Sequence, residues 1–243
     1  MPERVILITG ANGAIGSAIA RVFLEESSNN SVFLGVRQND LRAEKLMEEF
    51  PKQCVTIGLD VTKVEAWREA RELVMEMWGR IDVLVNNAGF HRDSLLGTMT
   101  DEQWRSVMEV NLDGVFMGCR EFVPTMLAQR SGRIVNVSSL SALLAPVGQT
   151  NYAAAKAAVV AFTQSLAKEV ARAGVTVNAV CPGYIDTEAL EFPDKQSRRE
   201  SQMRIPMRRF GRPEEVAAAV RFLACEEASY LTGSVLKIDG GIL

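Results

Sequence analysis

The chain has 243 residues, a net charge of −3 and an apolar fraction of 47%. These values predict a globular protein with a sizeable core, and the negative charge disfavours a nucleic acid or an anionic membrane as the main partner. The four cysteines include no CxxC pair, which favours free thiols in a reducing compartment, and the single histidine argues against a histidine-based metal site. The N-terminal apolar run Val5–Ile8 is too short for a signal-peptide core or a membrane span, so we expect a cytoplasmic protein.

Short β-branched runs alternate with longer helical patterns from end to end. The predicted strands are Arg4–Thr9, Ser31–Val36, Cys54–Leu59, Val83–Asn86, Arg133–Val137, Val175–Ala179 and Val235–Ile238. The predicted helices between them include Gly16–Glu26, Leu41–Glu49, Val64–Trp78 and Tyr152–Ala171. This alternation predicts an α/β fold, a doubly wound parallel sheet of about seven strands with helices on both faces. No repeat or linker marks a boundary, so residues 1–243 are predicted to form a single domain.

A glycine-rich segment joins the first predicted strand to the first predicted helix. It reads Thr9-Gly-Ala-Asn-Gly-Ala-Ile-Gly16. Glycines at this junction allow a tight turn and a close backbone approach to a pyrophosphate, and the helix N-terminus attracts the phosphates. A dinucleotide site is therefore predicted, with contacts at Gly10, Asn12, Gly13, Ala14, Ile15 and Gly16.

The ends of the second and third predicted strands bear on the choice of nucleotide. An acidic residue after the second strand would bind a ribose 2′-OH, whereas a basic residue accommodates a 2′-phosphate. Arg37 follows this strand and no acid ends it, which favours NADP(H), although Arg37 could also be a solvated loop residue. Asp60 and Val61 follow the third strand, where they could contact the adenine ring. The alternative for Asp60 is a turn residue that caps the next helix.

Further polar and small residues follow the later strands. Asn86-Asn-Ala-Gly89 ends the fourth, Ser138-Ser139 ends the fifth, and Pro182-Gly183 follows the sixth. In parallel sheets, ligands bind beyond the carboxyl ends of the strands. A packing role gives no reason to prefer one edge of the sheet, so this clustering favours a functional site.

Tyr152 and Lys156 lie four residues apart in the longest predicted helix, with Ser139 thirteen residues upstream of the tyrosine. Helical spacing places the two side chains on one face. A nearby ammonium favours the phenolate and lowers the tyrosine pKa, so the pair can donate a proton near neutral pH. A serine hydroxyl in the same site can hold a carbonyl oxygen. The alternative is a half-buried tyrosine with a snorkelling lysine.

These motifs, in this order, resemble the short-chain dehydrogenase/reductase family over nearly the whole chain. Within the family the chain most resembles the 3-oxoacyl-acyl-carrier-protein reductases. The segments that carry the closer resemblance are Gly148–Lys156, Ile205–Val216 and Tyr230–Gly241.

The resemblance implies an NAD(P)-binding Rossmann domain, NADP(H) as cofactor and a homotetramer. It implies a catalytic tetrad of Asn111, Ser139, Tyr152 and Lys156, in which Ser139 binds the carbonyl, Tyr152 donates the proton, and Lys156 lowers the tyrosine pKa and holds the nicotinamide ribose. Asn111 is expected in a helix that opens at the capping box Thr100–Gln103, bonded to a water leading to Lys156 or only within the core. Further implied cofactor contacts are Asn87, Ala88, Gly89, Pro182, Gly183, Ile185 and Thr187.

Several positions depart from the family pattern or stay open. Most members have Gly-xxx-Gly-x-Gly in the phosphate loop, but here Gly13 and Ala14 displace the middle glycine. His91 replaces a small residue and could line the substrate mouth or be an ordinary loop residue. Arg130 and Arg172 are candidates for docking an acidic carrier protein near the entrance. The polar segment 187–206 is predicted to be a substrate lid, and four apolar residues could line an acyl pocket or pack their own loop: Leu140, Leu143, Leu144 and Val147.

The sequence therefore leads to one main hypothesis, an NADPH-dependent reductase of 3-oxoacyl thioesters bound to acyl carrier protein or coenzyme A. A dehydrogenase of a sugar, polyol or other small alcohol is the second, because one tetrad serves many substrates. A catalytically silent nucleotide-sensing protein is the third, from a different class.

Overall fold

A computed structural model describes residues 4–37, 41–188, 190 and 192–243. Within these residues, seven strands form one sheet in the order β3-β2-β1-β4-β5-β6-β7, and every neighbouring pair is parallel. The strands are β1 (Val5–Thr9), β2 (Ser31–Val36), β3 (Cys54–Gly58), β4 (Val83–Asn86), β5 (Gly132–Val137), β6 (Val175–Pro182) and β7 (Val235–Ile238). The predicted doubly wound parallel sheet is confirmed.

Helices connect the strands and cover both faces of the sheet. In the described ranges they are α1 (Ala14–Glu26), α2 (Leu41–Glu49), α3 (Val64–Trp78), α4 (Asp101–Met108), α5 (Gly114–Gln129), α6 (Ser141–Leu144), α7 (Thr150–Val170), α8 (Lys195–Arg204) and α9 (Pro213–Leu223). One buried apolar cluster joins the sheet to α1, α2 and α9, and a second joins it to α3, α5 and α7. None of these helices combines the length and apolar character needed to cross a membrane.

The central strands are buried because helices pack on both of their faces. Every residue of β1, β2, β4 and β6 is buried, which matches their nearly continuous apolar sequences. The order of the strands reverses between β1 and β4, whose next neighbours lie on opposite sides. Loops that leave two such strands diverge to opposite faces and open a crevice at their carboxyl ends. The fold therefore places the segments after β1 and β4 on either side of one crevice.

The element boundaries differ from the prediction where tertiary contacts decide them. Strand β6 continues past Ala179 to Pro182, because β7 pairs with this segment and the Pro182 carbonyl accepts a hydrogen bond from the Leu140 amide at 2.8 Å. Helix α1 begins at Ala14, two residues early, with Gly13 as its N-cap. All four cysteines, each within the described ranges, are free thiols.

The helix expected to carry Asn111 is interrupted. Thr100 opens α4 with the predicted capping box, in which its side chain accepts a hydrogen bond from the Gln103 amide and the Gln103 side chain accepts one from the Thr100 amide. A π-helical turn, Glu109–Asp113, then separates α4 from α5 and contains Asn111. Such single π turns frequently occur at functional sites. Sequence periodicity does not reveal the turn.

Candidate active site

A cavity of about 900 Å³ opens at the carboxyl ends of the strands. Every predicted site residue except Asn111 lines it. These residues come from loops after six strands, so the parallel sheet brings together groups that are distant in sequence. At this edge the cleft has a glycine-rich end beside β1 and a hydroxyl-rich end beside β5.

The glycine-rich loop depends on two glycines that cannot carry a side chain. Gly10 has a φ of +63°, and a Cβ there would lie 2.9 Å from the Cα of Ala88. A Cβ on Gly16 would lie 2.2 Å from the Gly10 carbonyl oxygen. Gly13 differs, because its φ is −74° and a Cβ would meet only the Gly10 carbonyl oxygen, at 3.5 Å. The loop therefore holds its backbone tight against the start of α1 and leaves space at Gly13.

Asn87 and Thr9 tie the β4 loop to the glycine-rich loop. The Asn87 side chain donates to the carbonyl oxygens of Thr9 at 2.9 Å and Gly10 at 3.2 Å. The Thr9 hydroxyl accepts from the backbone amides of Asn87 and Ala88, both at 2.9 Å. Asn87, predicted as a cofactor contact, thus positions the glycine-rich loop.

The predicted adenosine end of the cleft contains Arg37 and Asp60. Arg37 is exposed directly after β2 and lines the cavity. The Asp60 carboxylate accepts hydrogen bonds from the Thr62 hydroxyl at 2.7 Å and the Thr62 amide at 3.0 Å. Burial raises the pKa of Asp60, but these bonds and the charges of Arg37 and Lys63 outweigh it, and the pKa is lowered. Asp60 shapes a turn here, while Lys63 is the N-cap of α3.

Arg42 and Glu188 form an ion pair across the cleft that sequence reasoning missed. Arg42 lies in the first turn of α2 and Glu188 follows Thr187, and both line the cavity. Arg42 also donates to the Asn12 carbonyl at 3.4 Å. A cation in contact with the glycine-rich loop is well placed for a phosphate. No sequence signal pointed to this pair, because the two residues are 146 positions apart in the chain.

Tyr152 lies on α7 with its phenol next to Ser139. Burial raises the pKa of Tyr152, the hydrogen bond with the Ser139 hydroxyl opposes the rise, and the charge of Asp93 adds to it. The net direction is upward, so the phenol is protonated at neutral pH. This differs from the predicted lowering by Lys156, because burial of the phenol disfavours its charged form and outweighs the opposing contributions. The Lys156 amine lies 5.7 Å from the centre of the Tyr152 ring and donates to the Val137 carbonyl at 2.9 Å.

Lys156 is buried beneath the tyrosine. Burial lowers the pKa of Lys156 to about 8, partly countered by the neighbouring Cys181. Helix α7 is fixed here because the Ser138 hydroxyl donates to the Lys156 carbonyl at 2.8 Å. An amine near its titration point, held beside a phenol, can both carry a charge and exchange a proton.

Asn111 is fully buried behind the cleft. Its side-chain NH₂ donates to the carbonyls of Phe90 at 2.8 Å and Val107 at 2.9 Å. Its Oδ1 has no hydrogen-bond partner within the described residues. A Cβ on Gly89 would lie 2.6 Å from this oxygen and 3.2 Å from the Lys156 amine. Gly89 therefore leaves a small polar space that Asn111 and Lys156 both face.

The chain can now be compared with known proteins. A family model described as enoyl-(acyl-carrier-protein) reductase matches residues 10–243. The 3-oxoacyl-[acyl-carrier-protein] reductase FabG of Thermotoga maritima is 45% identical over 242 residues, which cover 99% of this chain and 98% of that protein. The FabG of Vibrio cholerae is 38% identical over 239 residues, 98% of this chain and 97% of that protein. The chain belongs to the short-chain dehydrogenase/reductase family. It is an oxidoreductase of CH–OH groups, in a family whose cofactor is NADPH.

In this short-chain dehydrogenase/reductase, the segment after Ser139 lines part of the cavity. Leu140 and Leu144 line the cavity together with Pro146 and Tyr184. Leu143 and Val147 are absent from the lining, and Val147 is 90% exposed. The predicted apolar wall is therefore formed by half of the four predicted residues.

The predicted lid segment is held by contacts with residues that flank it in the sequence. Its helix α8 begins after Asp194, whose side chain accepts a hydrogen bond from the Ser197 amide at 2.7 Å. Arg198 on α8 donates to Asp186 at 2.8 Å and lies 4.7 Å from the ring centre of Phe210. Ala189 and Glu191, which belong to the predicted lid, lie outside the described residues.

The two candidate docking arginines lie away from this cleft. Arg130 precedes β5, and Arg172 lies in a short 3₁₀ helix, Ala171–Ala173, that precedes β6. Both are exposed. They are at the amino ends of strands whose carboxyl ends form the cleft, and a six-residue strand such as β5 is about 20 Å long. The structure therefore does not place them at the entrance of their own chain.

Proposed function

We propose that this enzyme reduces 3-oxoacyl thioesters to 3-hydroxyacyl thioesters with NADPH as the hydride donor. The observation that carries the proposal is the meeting of the Ser139 hydroxyl and the Tyr152 phenol above the buried Lys156 amine, at one end of a dinucleotide-sized cleft. The relatives' printed activity, reduction of 3-oxoacyl groups on acyl carrier protein, agrees with this chemistry.

The residues of the cleft fit NADP(H). Gly10 and Gly16 allow the close backbone approach that a pyrophosphate needs, and the amides at the start of α1 face it. Arg37 and Arg42 supply positive charge beside the space at Gly13. Further candidate contacts are Asn12, Ala14, Ile15, Asp60, Val61, Asn87, Ala88, Gly89, Pro182, Gly183, Ile185 and Thr187, all of which line the cavity. When bound, the cofactor supplies the hydride.

The chain's own residues then complete the reduction of the carbonyl. The Ser139 hydroxyl donates a hydrogen bond to the carbonyl oxygen and stabilises the negative charge that develops there. Tyr152 donates its phenolic proton to that oxygen. The raised pKa of Tyr152 suits this role, because the donor must be protonated before the reaction.

Lys156 supports the tyrosine after the proton has moved. The phenolate that remains is stabilised by the ammonium, and the pKa of Lys156, lowered to about 8, allows that amine to return a proton. The Asn111 Oδ1 faces the same small space beside Gly89, where a water would join it to the Lys156 amine. We assign the tetrad roles on these contacts.

Leu140, Leu144 and Pro146 provide an apolar wall for the acyl chain. The 187–206 segment is the proposed lid, within a single domain spanning residues 1–243. If Arg130 and Arg172 dock an acidic carrier protein, they serve the cleft of another copy, which agrees with a proposed homotetramer in the cytoplasm. Light scattering at several protein concentrations tests the assembly.

The substrate test measures NADPH oxidation with acetoacetyl thioesters of coenzyme A and of acyl carrier protein. A crotonyl thioester, simple ketones and sugars form the comparison panel, since the matching family model is described by enoyl reduction. Turnover restricted to the ketones or sugars would support the small-alcohol dehydrogenase instead. Absence of turnover with every 3-oxoacyl thioester overturns the proposal.

The proton-donor test is the Tyr152→Phe variant, which keeps the ring and removes the phenol. We expect kcat to fall by about 10²–10⁴-fold, the usual contribution of a general acid, with NADPH affinity nearly unchanged. Retained turnover would show that another group donates the proton.

A further inference from the structure

His91, the only histidine of the chain, lines the cleft beside Tyr152. The two ring centres are 5.9 Å apart, and the planes meet at 65° in an edge-to-face contact. Such contacts fix the relative orientation of two rings. The imidazole is therefore a direct neighbour of the proposed proton donor, on the solvent side of it, since the His91 side chain is 45% exposed.

A chain of hydrogen bonds holds His91 in this position. Its Nδ1 lies 3.2 Å from one oxygen of Asp93, and the other oxygen accepts from Gln149 at 2.8 Å. Gln149 in turn accepts from the Ser141 hydroxyl at 2.8 Å, and the Ser141 amide donates to the Ser139 hydroxyl oxygen at 3.1 Å. Because a carboxylate only accepts hydrogen bonds, the Nδ1 carries the hydrogen of the neutral ring, and Nε2 is the atom that gains a proton.

The charges around His91 are few. On the loop that carries His91, Asp93 binds the imidazole, and the Arg92 guanidinium donates to the Glu102 carboxylate on α4 at 3.3 Å. On α7, Tyr152 faces the imidazole, and Lys156 lies below the tyrosine with its amine bound to the Val137 carbonyl. Gln149, which precedes α7, is neutral. The negative charge of Asp93 contributes to the raised pKa of Tyr152. A protonated His91 neutralises that charge at its source.

We propose that His91 is a positioning residue for Tyr152, whose protonation against Asp93 makes the phenol a stronger acid and accelerates reduction at lower pH. The proposal rests on the proposed role of Tyr152 as proton donor. Protonation of an imidazole in contact with the phenol ring favours the phenolate, and the exposure of both His91 and Asp93 keeps the effect modest. We expect a step of about 2–5-fold in kcat/KM for the carbonyl substrate across the range of about pH 5–8, where histidines change charge.

The experiment compares the wild-type enzyme with His91→Phe, which keeps an aromatic edge against Tyr152 and cannot titrate. The step in kcat/KM is expected to disappear in the variant, while NADPH affinity and melting temperature stay unchanged. Because the chain has one histidine, proton NMR of tag-free enzyme gives its titration without ambiguity, and that midpoint should coincide with the kinetic one.

Two results overturn the proposal: a step in His91→Phe at the pH where the wild-type imidazole titrates by NMR, or a wild-type profile that is flat across that titration. The fall of kcat/KM near pH 8 that is expected from Lys156 should remain in both proteins. Failure of the proposed substrate is distinguishable, because the profile can be recorded with whichever carbonyl compound in the panel the enzyme reduces. A loss of the step together with a lower melting temperature in His91→Phe would indicate a structural role, and it also counts against the proposal.

Discussion

Gly16 and Gly13 are three residues apart in the same loop, and the structure predicts that alanine is destabilising at Gly16 and nearly neutral at Gly13. A Cβ on Gly16 would lie 2.2 Å from the Gly10 carbonyl oxygen and 2.9 Å from the Ala11 Cα. Both atoms belong to the backbone, so neither can turn away as the end of a flexible side chain can. Gly16→Ala must therefore move the loop away from α1.

The magnitude follows from the cost of overpacking, which is about 1–3 kcal/mol. At about 2–4 °C per kcal/mol for a chain of this size, the melting temperature should fall by about 2–12 °C. Because the displaced loop is also the proposed phosphate site, NADPH affinity should fall at least about 10-fold, equivalent to about 1.4 kcal/mol.

Gly13→Ala is the matched control. At a φ of −74° an alanine is unstrained, and the nearest atom to its Cβ is 3.5 Å away. Alanine stabilises the protein by making the unfolded chain less flexible, and it destabilises the protein because it is a poorer N-cap than glycine. The two contributions roughly cancel, so the free energy of unfolding should change by less than about 0.5 kcal/mol. Thermal unfolding and NADPH fluorescence titration of both variants provide the measurement. Equal effects at the two positions, or an unaltered Gly16→Ala protein, would refute the reasoning.

Three further predictions follow from charged groups of the cleft and lid. The pKa of Lys156 is lowered to about 8, so its charge is present below that pH and lost above it. We therefore expect kcat/KM to fall as pH rises through about 8. A fall of kcat/KM with the same midpoint in the slower Lys156→Arg variant would contradict this. Glu188→Gln removes the acid paired with Arg42, so the guanidinium no longer has to leave that carboxylate to bind a phosphate. NADPH binding should tighten by about 2–5-fold, the scale of an exposed ion pair. Unchanged affinity in fluorescence titration would argue against a phosphate role for Arg42. Arg198→Ala removes the contacts with Asp186 and Phe210, so it should raise the KM of the thioester and speed proteolysis within 187–206. Arg199→Ala on the same helix is the control and should do neither. Matching behaviour of the two variants would show that the Arg198 contacts do not hold the lid.

The order of elements could be predicted from the sequence because each local pattern agrees with the fold. Strands β2, β4 and β7 and helices α2 and α3 have the predicted bounds, since their apolar runs and turn residues coincide with their packing. The Tyr152–Lys156 pair and the position of Ser139 also follow from local patterns, because the pair shares one helix face and Ser139 follows a strand, whereas Asn111 was predicted from the family resemblance. Each of these local signals spans only a few residues, so sequence patterns contain it.

Other features depend on contacts between distant segments. The upward pKa shift of Tyr152 and the Arg42–Glu188 pair each involve residues separated by many positions. The π turn places the Asn111 side chain against the carbonyl of Phe90, 21 positions away in the chain. The pKa of Tyr152 rises because the packed chain buries the phenol, and the Lys156 amine binds the carbonyl of Val137, the last residue of β5.

The sequence by itself therefore determined the fold class, the glycine-rich loop and the presence of a tyrosine–lysine pair, because helix and strand periods and turn residues are local properties. Only the tertiary structure decided which groups face each other across the cleft. It placed His91 against Tyr152 and put Arg130 and Arg172 at the opposite edge of the sheet. The physical reason is that burial, charge proximity and hydrogen-bond partners depend on distances through space, and those distances are set by how the strands and helices pack.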